Sequence, residues 1–128
     1  MTPDLVLLVY AVLLTFVLAV IAVLGAMMRV GLPALAGNRE GLPEITGWAG
    51  RAARAHRNML ESLVLFVALV LVAHISNRGN AMSLLGEEIF VWARLAHAII
   101  YIAGVPWLRT AAWGISVAGL ALICLQLL

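Results

Sequence analysis

Leu5 to Met28 reads LVLLVYAVLLTFVLAVIAVLGAMM, an unbroken stretch with no charged residue. About 20 apolar residues in a helix cross the hydrocarbon core of a bilayer. A secretory signal has a basic start and an apolar stretch of about 7–15 residues. Here the only early charge is the acidic Asp4, and the run is far longer. The segment is therefore expected to remain in the protein as a first transmembrane helix.

The rest of the chain agrees. It has 128 residues, 65% of them hydrophobic, with a mean hydropathy of +1.11. A soluble domain is roughly half apolar, and a chain this short and this apolar would present most of its hydrophobic surface to water. The length permits four or five crossings and no separate soluble domain. Net charge is +2, and all the positive charge is arginine. The arginines form no basic run on a soluble surface; several lie against apolar segments, which indicates membrane edges and interiors rather than nucleic acid. The single cysteine, Cys124, sits in the last apolar run and reads as a small buried hydrophobe.

Beyond Arg29, the segment Val30 to Gly50 is dense in glycine and proline and reads as a loop, with Thr46 as the N-cap of the next helix. That second helix is expected over residues 48–75, polar in its first half and apolar in its second. Ser76 to Glu88 contains Asn77, Gly79, Asn80 and Gly86 and reads as the second loop. A third apolar run covers 89–105, interrupted by Arg94 and His97; Pro106 breaks the chain, and a fourth run covers 110–128. The expected fold is an all-α integral membrane protein, a four-transmembrane-helix bundle forming one domain over 1–128. No internal repeat is visible.

Arginine placement orients it. Arg29, Arg39, Arg51, Arg54 and Arg57 lie in or beside the first loop and Arg109 in the third, whereas Arg78 in the second is offset by Glu87 and Glu88. Cytoplasmic loops carry the excess of Lys and Arg, so loops one and three are expected on the cytoplasmic side and both termini opposite. Trp48, Trp92, Trp107 and Trp113 fall near helix ends, as an aromatic belt would.

The charges are patterned. At about 100° per residue, Arg51, Arg54, Arg57, Asn58 and Glu61 occupy one arc of the second helix about 120° wide, while His56 points elsewhere as a packing residue. Arg94, His97 and Tyr101, spaced i, i+3, i+7, share one face of the third. Antiparallel packing would bring Glu61 level with Arg94, and Arg54 and Asn58 level with His97 and Tyr101, with Arg109 at the same cytoplasmic edge. A Glu61–Arg94 ion pair is expected to offset much of the cost of a charge in the bilayer, about 2.5–3.5 kcal/mol or more. The surplus arginines suit an anionic ligand. Arg39 and Arg51 are expected to snorkel to headgroups. No His, Cys and acid cluster has metal-ligand spacing, and neither a Ser-His-Asp arrangement nor a phosphate loop is present.

The stretch Arg51-Ala52-Ala53-Arg54-Ala55-His56-Arg57-Asn58-Met59-Leu60-Glu61 strongly resembles the second-helix signature of the MAPEG family, the membrane-associated proteins in eicosanoid and glutathione metabolism. Arg94-Leu95-Ala96-His97, Tyr101 and Leu108-Arg109-Thr110 resemble its later motifs. Gly37-Asn38-Arg39-Glu40 with Leu42-Pro43 resembles its prokaryotic branch, which implies the inner or plasma membrane of a bacterium. Val64-Leu65-Phe66 stands where the family often has proline before phenylalanine, a departure that bears on helix shape.

The resemblance implies a homotrimer that binds glutathione as co-substrate at subunit interfaces near the cytoplasmic side. By motif, Arg54, Arg57, Asn58 and Glu61 would hold its carboxylates and amine, Arg94, His97 and Tyr101 would line the pocket, and Arg109 with Thr110 would sit by the thiol. Arg29 of a neighbouring subunit would contribute. The implied activity is a glutathione transferase or peroxidase acting on lipophilic electrophiles, in the manner of a detoxifying enzyme, with no metal. The alternative is a non-catalytic lipid-binding or scaffold member of the same fold. The motif alone does not separate transferase, peroxidase, isomerase and binding protein. A four-helix drug–proton exporter would need a membrane-embedded acid in the first helix, and Leu5 to Met28 has none.

Overall fold

A computed structural model describes all of Met1–Leu128. The chain is all-helical: α1 (Pro3–Val30), the short α2 (Leu32–Ala36), α3 (Gly47–Ile75), α4 (Ala81–Ala103) and α5 (Pro106–Leu127). The four long helices pack α1 on α3, α3 on α4 and α4 on α5, with further contacts of α1 on α4 and α3 on α5. α1, α3 and α5 are long and apolar enough to cross a membrane. α4 has comparable length but carries Glu87, Glu88 and Arg94, which sets it apart from the other three.

Three boundaries correct the sequence reading. The first loop holds a helical turn, α2, entered where Gly31 takes φ +83° and ends α1. α4 begins at Ala81, eight residues ahead of the expected Ile89, because Asn80 and Ser83 form a capping box in which each side chain bonds the other's backbone N–H. Gly86, which reads as a loop residue, is a helix-contact residue instead. A Cβ there would lie 2.7 Å from the Gly119 carbonyl oxygen, and a Cβ on Gly119 would lie 2.7 Å from that of Gly86. The two glycines let α4 and α5 approach backbone to backbone, as small residues do between membrane helices. α5 begins at Pro106 rather than at 110, since proline is favoured at the first helical position. Arg109 thus lies in the first turn of α5, not in a loop.

The core is thin and built from small and aromatic side chains. Ala11, Ala55 and Met59 are buried together with Phe66 and Phe90, whose rings stack at 4.2 Å between centroids. Most large apolar side chains of α1 face outward, among them Phe16, Val17 and Leu24. In a soluble protein this much exposed apolar surface would be anomalous; facing lipid, it is the expected solvent contact.

Candidate functional site

The expected 120° arc of α3 divides into two edges. One faces α4. Arg51 donates from Nε to the Ile102 carbonyl at 2.8 Å, satisfying one of the carbonyls left unbonded in the last turn of α4. Two turns on, Asn58 Oδ1 accepts from Arg94 Nη2 at 2.8 Å. The other edge, Arg54, Arg57 and Glu61, is exposed and points out of the bundle. On a helical wheel Asn58 and Arg51 lie about 40–60° to one side of Arg54, while Arg57 and Glu61 lie to the other. That rotation separates the inward pair from the outward trio.

Two expectations are corrected by this geometry. Arg94 is 1% exposed but makes no ion pair with Glu61; its partner is the amide of Asn58, and its Nε and Nη1 are buried without a hydrogen bond. The one ion pair within the chain joins His74 and Asp4, at the opposite end of the bundle. Arg51 is turned onto α4 rather than freely extended toward headgroups, whereas Arg39 remains exposed. Arg39 donates to Leu35 O at 2.8 Å and Arg51 to Ile102 O, so both are engaged with helix carbonyls.

Asn58 of α3, His97 and Tyr101 of α4, and Arg109, Thr110 and Trp113 of α5 line one cavity of about 240 Å³. His97 is 2% exposed and meets Tyr101 edge to face, with centroids 5.4 Å apart. The Arg109 guanidinium sits over the other part of this aromatic pair, 4.5 Å from the Tyr101 ring centroid, a cation–π contact that fixes its direction. Thr110 Oγ1 donates to Pro106 O of its own helix at 3.2 Å, which leaves its lone pairs free. The site thus offers a guanidinium, a phenol, an amide and an imidazole around one small space, with Arg94 bonded to Asn58 from behind.

Of the sequence-derived site residues, Asn58, His97, Tyr101, Arg109 and Thr110 come together in this cavity, and Arg94 supports it. Arg54, Arg57 and Glu61 do not line it. Arg29 does not line it either; its guanidinium lies over Gly47, where a Cβ would come within 2.7 Å of Nη2. Trp113 is the cavity residue the sequence reading passed over as part of an aromatic belt. Its signal was its spacing, i+4 from Arg109 and i+3 from Thr110, which puts all three on one face of α5. No three His, Cys, Asp or Glu side chains stand close enough to hold a metal ion.

Comparison with individual curated proteins gives no match. A family model described as the MAPEG family matches residues 5–128, nearly the whole chain. With its apolar helices of membrane-crossing length, this chain is an integral membrane protein that belongs to the MAPEG family.

Proposed function

We propose that this protein is a membrane-embedded glutathione-dependent transferase or peroxidase acting on lipophilic electrophiles, with glutathione held between the subunits of a homotrimer. The observation that carries this reading is the outward edge of α3. Glu61 lies 14 residues into a 29-residue helix, about 20 Å along its axis, and it is exposed together with Arg54 and Arg57. Ionised side chains at that depth do not face lipid, so another subunit or a polar ligand must cover them. Glutathione has the matching groups: two carboxylates for the arginines and an ammonium for Glu61.

The adjoining cavity supplies the chemistry. A thiol of pKa about 8.5 is mostly protonated at neutral pH, and the Arg109 guanidinium, held over Tyr101, favours the thiolate in its field. The Tyr101 hydroxyl stands in the same cavity as a donor for the sulfur, while Thr110, whose proton goes to Pro106 O, offers an acceptor to the thiol S–H. A glutathione thiolate attacks an electrophilic carbon and displaces its leaving group, such as chloride, in the transferase reaction. In the peroxidase reaction it attacks a hydroperoxide oxygen and the alcohol leaves; a second glutathione converts the resulting sulfenic acid to the disulfide and water. Arg54, Arg57 and Glu61 orient the attacking glutathione, and holding both reactants in one place lowers the entropic barrier. By the arginine bias of the loops, the α1–α3 and α4–α5 connections face the cytoplasm, in the inner or plasma membrane of a bacterium. α4 completes a four-span subunit, its Arg94 and Glu87 turned into the bundle.

Incubation of the detergent-purified protein with glutathione and a chlorinated dinitrobenzene tests the proposal. Conjugate formation that is lost in Arg109→Ala supports it; absence of both conjugation and glutathione binding overturns it. An apolar groove of about 460 Å³ along α4 and α5, lined by Leu85, Ile89, Trp92 and Ile115 among others, favours a second reading, a lipid-binding member without catalysis. That reading expects Arg109→Ala to leave lipid binding and cellular role intact.

A further inference from the structure

The far end of the bundle holds a larger polar cavity, about 360 Å³, between the start of α1, the end of α3 and the start of α4. Asp4, His74, Asn77, Asn80, Ser83 and Glu87 line it. It is the end opposite the arginine-rich cluster, and no arginine lines it.

Most of these polar groups are already committed. Asp4 Oδ2 pairs with His74 Nδ1 at 2.9 Å, and Thr2 donates to the other Asp4 oxygen. Asn80 accepts from the Ser83 N–H and donates to Gln126, and the Ser83 hydroxyl bonds the Asn80 backbone. Glu87 is the buried exception. Its side chain is 1% exposed, and Oε2 is buried with no hydrogen-bond partner. A buried polar atom without a partner is costly and rare in native structures. Nothing in the subunit answers it, since the only nearby base is engaged with Asp4.

We propose that this cavity is a binding site for a primary ammonium group, which Glu87 receives at the cavity's inner end with Asp4 at its mouth. The shape of the donor set selects the class of ligand. No three acid or histidine side chains converge as a metal would need. An alkylammonium, with three N–H donors, bonds acceptors spread over a wider space. The volume accommodates an organic group rather than a bare ion. Such an ammonium reaches this end of the molecule either on an ethanolamine-type lipid headgroup or as a free amine.

Native mass spectrometry of the detergent-solubilised protein distinguishes the outcomes. The probes are a short-chain phosphatidylethanolamine, the matching phosphatidylcholine and ethanolamine hydrochloride, each titrated into wild type, Glu87→Gln and Asp4→Asn. Saturable binding of the ethanolamine probes is expected, with the choline lipid weaker and Glu87→Gln weakened about tenfold or more, the effect of losing one charge-assisted bond. Free ethanolamine binding as tightly as the lipid assigns the site to soluble amines; binding of the lipid alone assigns it to headgroups. Equal binding of the ethanolamine and choline lipids by wild type overturns the proposal. So does unchanged affinity in the variants. Circular dichroism checks folding, and if Glu87→Gln does not fold, Asp4→Asn, at a partly exposed position, decides alone.

Discussion

Arg94 donates from Nη2 to the side-chain oxygen of Asn58 at 2.8 Å across the α3–α4 interface, and its two other buried nitrogens have no partner. A guanidinium held by one neutral amide is a poorly compensated charge. It depends on Asn58 more than Asn58 depends on it.

Asn58→Leu is therefore expected to destabilise the subunit by about 3 kcal/mol, because it strands a buried charge. Arg94→Met keeps most of the volume and removes the charge, and is expected to be near neutral or stabilising. The double variant should recover most of the loss seen in Asn58→Leu. Unfolding titrations in mixed micelles, read as a double-mutant cycle, check this.

The two edges of α3 separate stability from binding. Arg51→Ala removes the bond to the Ile102 carbonyl and should cost about 1–2 kcal/mol of stability while sparing glutathione affinity. Arg54→Ala removes an outward side chain with no intrasubunit partner; it should leave the melting temperature unchanged and weaken glutathione binding. Thermal unfolding and binding titrations on the same preparations compare the two.

Gly86→Ala places a methyl 2.7 Å from the Gly119 carbonyl and is expected to cost about 1–3 kcal/mol through overpacking of α4 on α5. Gly114, on the same helix pair, has nothing within 4 Å of an added Cβ. Gly114→Ala should be stabilising by about 0.5–1 kcal/mol through helix propensity alone.

Asn80→Ala removes half of the capping box that starts α4 and the bond to Gln126. About 1 kcal/mol of stability should be lost. Amide hydrogen exchange should rise at Met82 and Ser83, in the first turn of α4, before it rises elsewhere.

The membrane character was legible because lipid tolerates what water does not: Leu5 to Met28 has no other reading. The facing stripes on α3 and α4 were legible from helical spacing, which is why Asn58, His97 and Tyr101 share a cavity. Spacing does not fix the rotation of a helix about its axis to within 60°, and that rotation decides whether Asn58 or Glu61 meets Arg94. Gly86 misled for a related reason. A glycine that permits a turn and one that permits close helix contact look alike until the neighbour, Gly119, is in place. The start of α4 was missed because Asn80 and Ser83, read as loop residues, form a cap. The cavity at Glu87 joins residues 2 to 87 in sequence, and no local pattern marks it.

Glutathione binding by wild type, Arg54→Ala and Glu61→Ala, measured by calorimetry in detergent, decides whether the outward edge of α3 holds glutathione. Saturable binding by wild type is expected, with a loss of about tenfold or more in each variant and the folded state retained. No binding by wild type, or affinity unchanged in both variants, would contradict that role for α3.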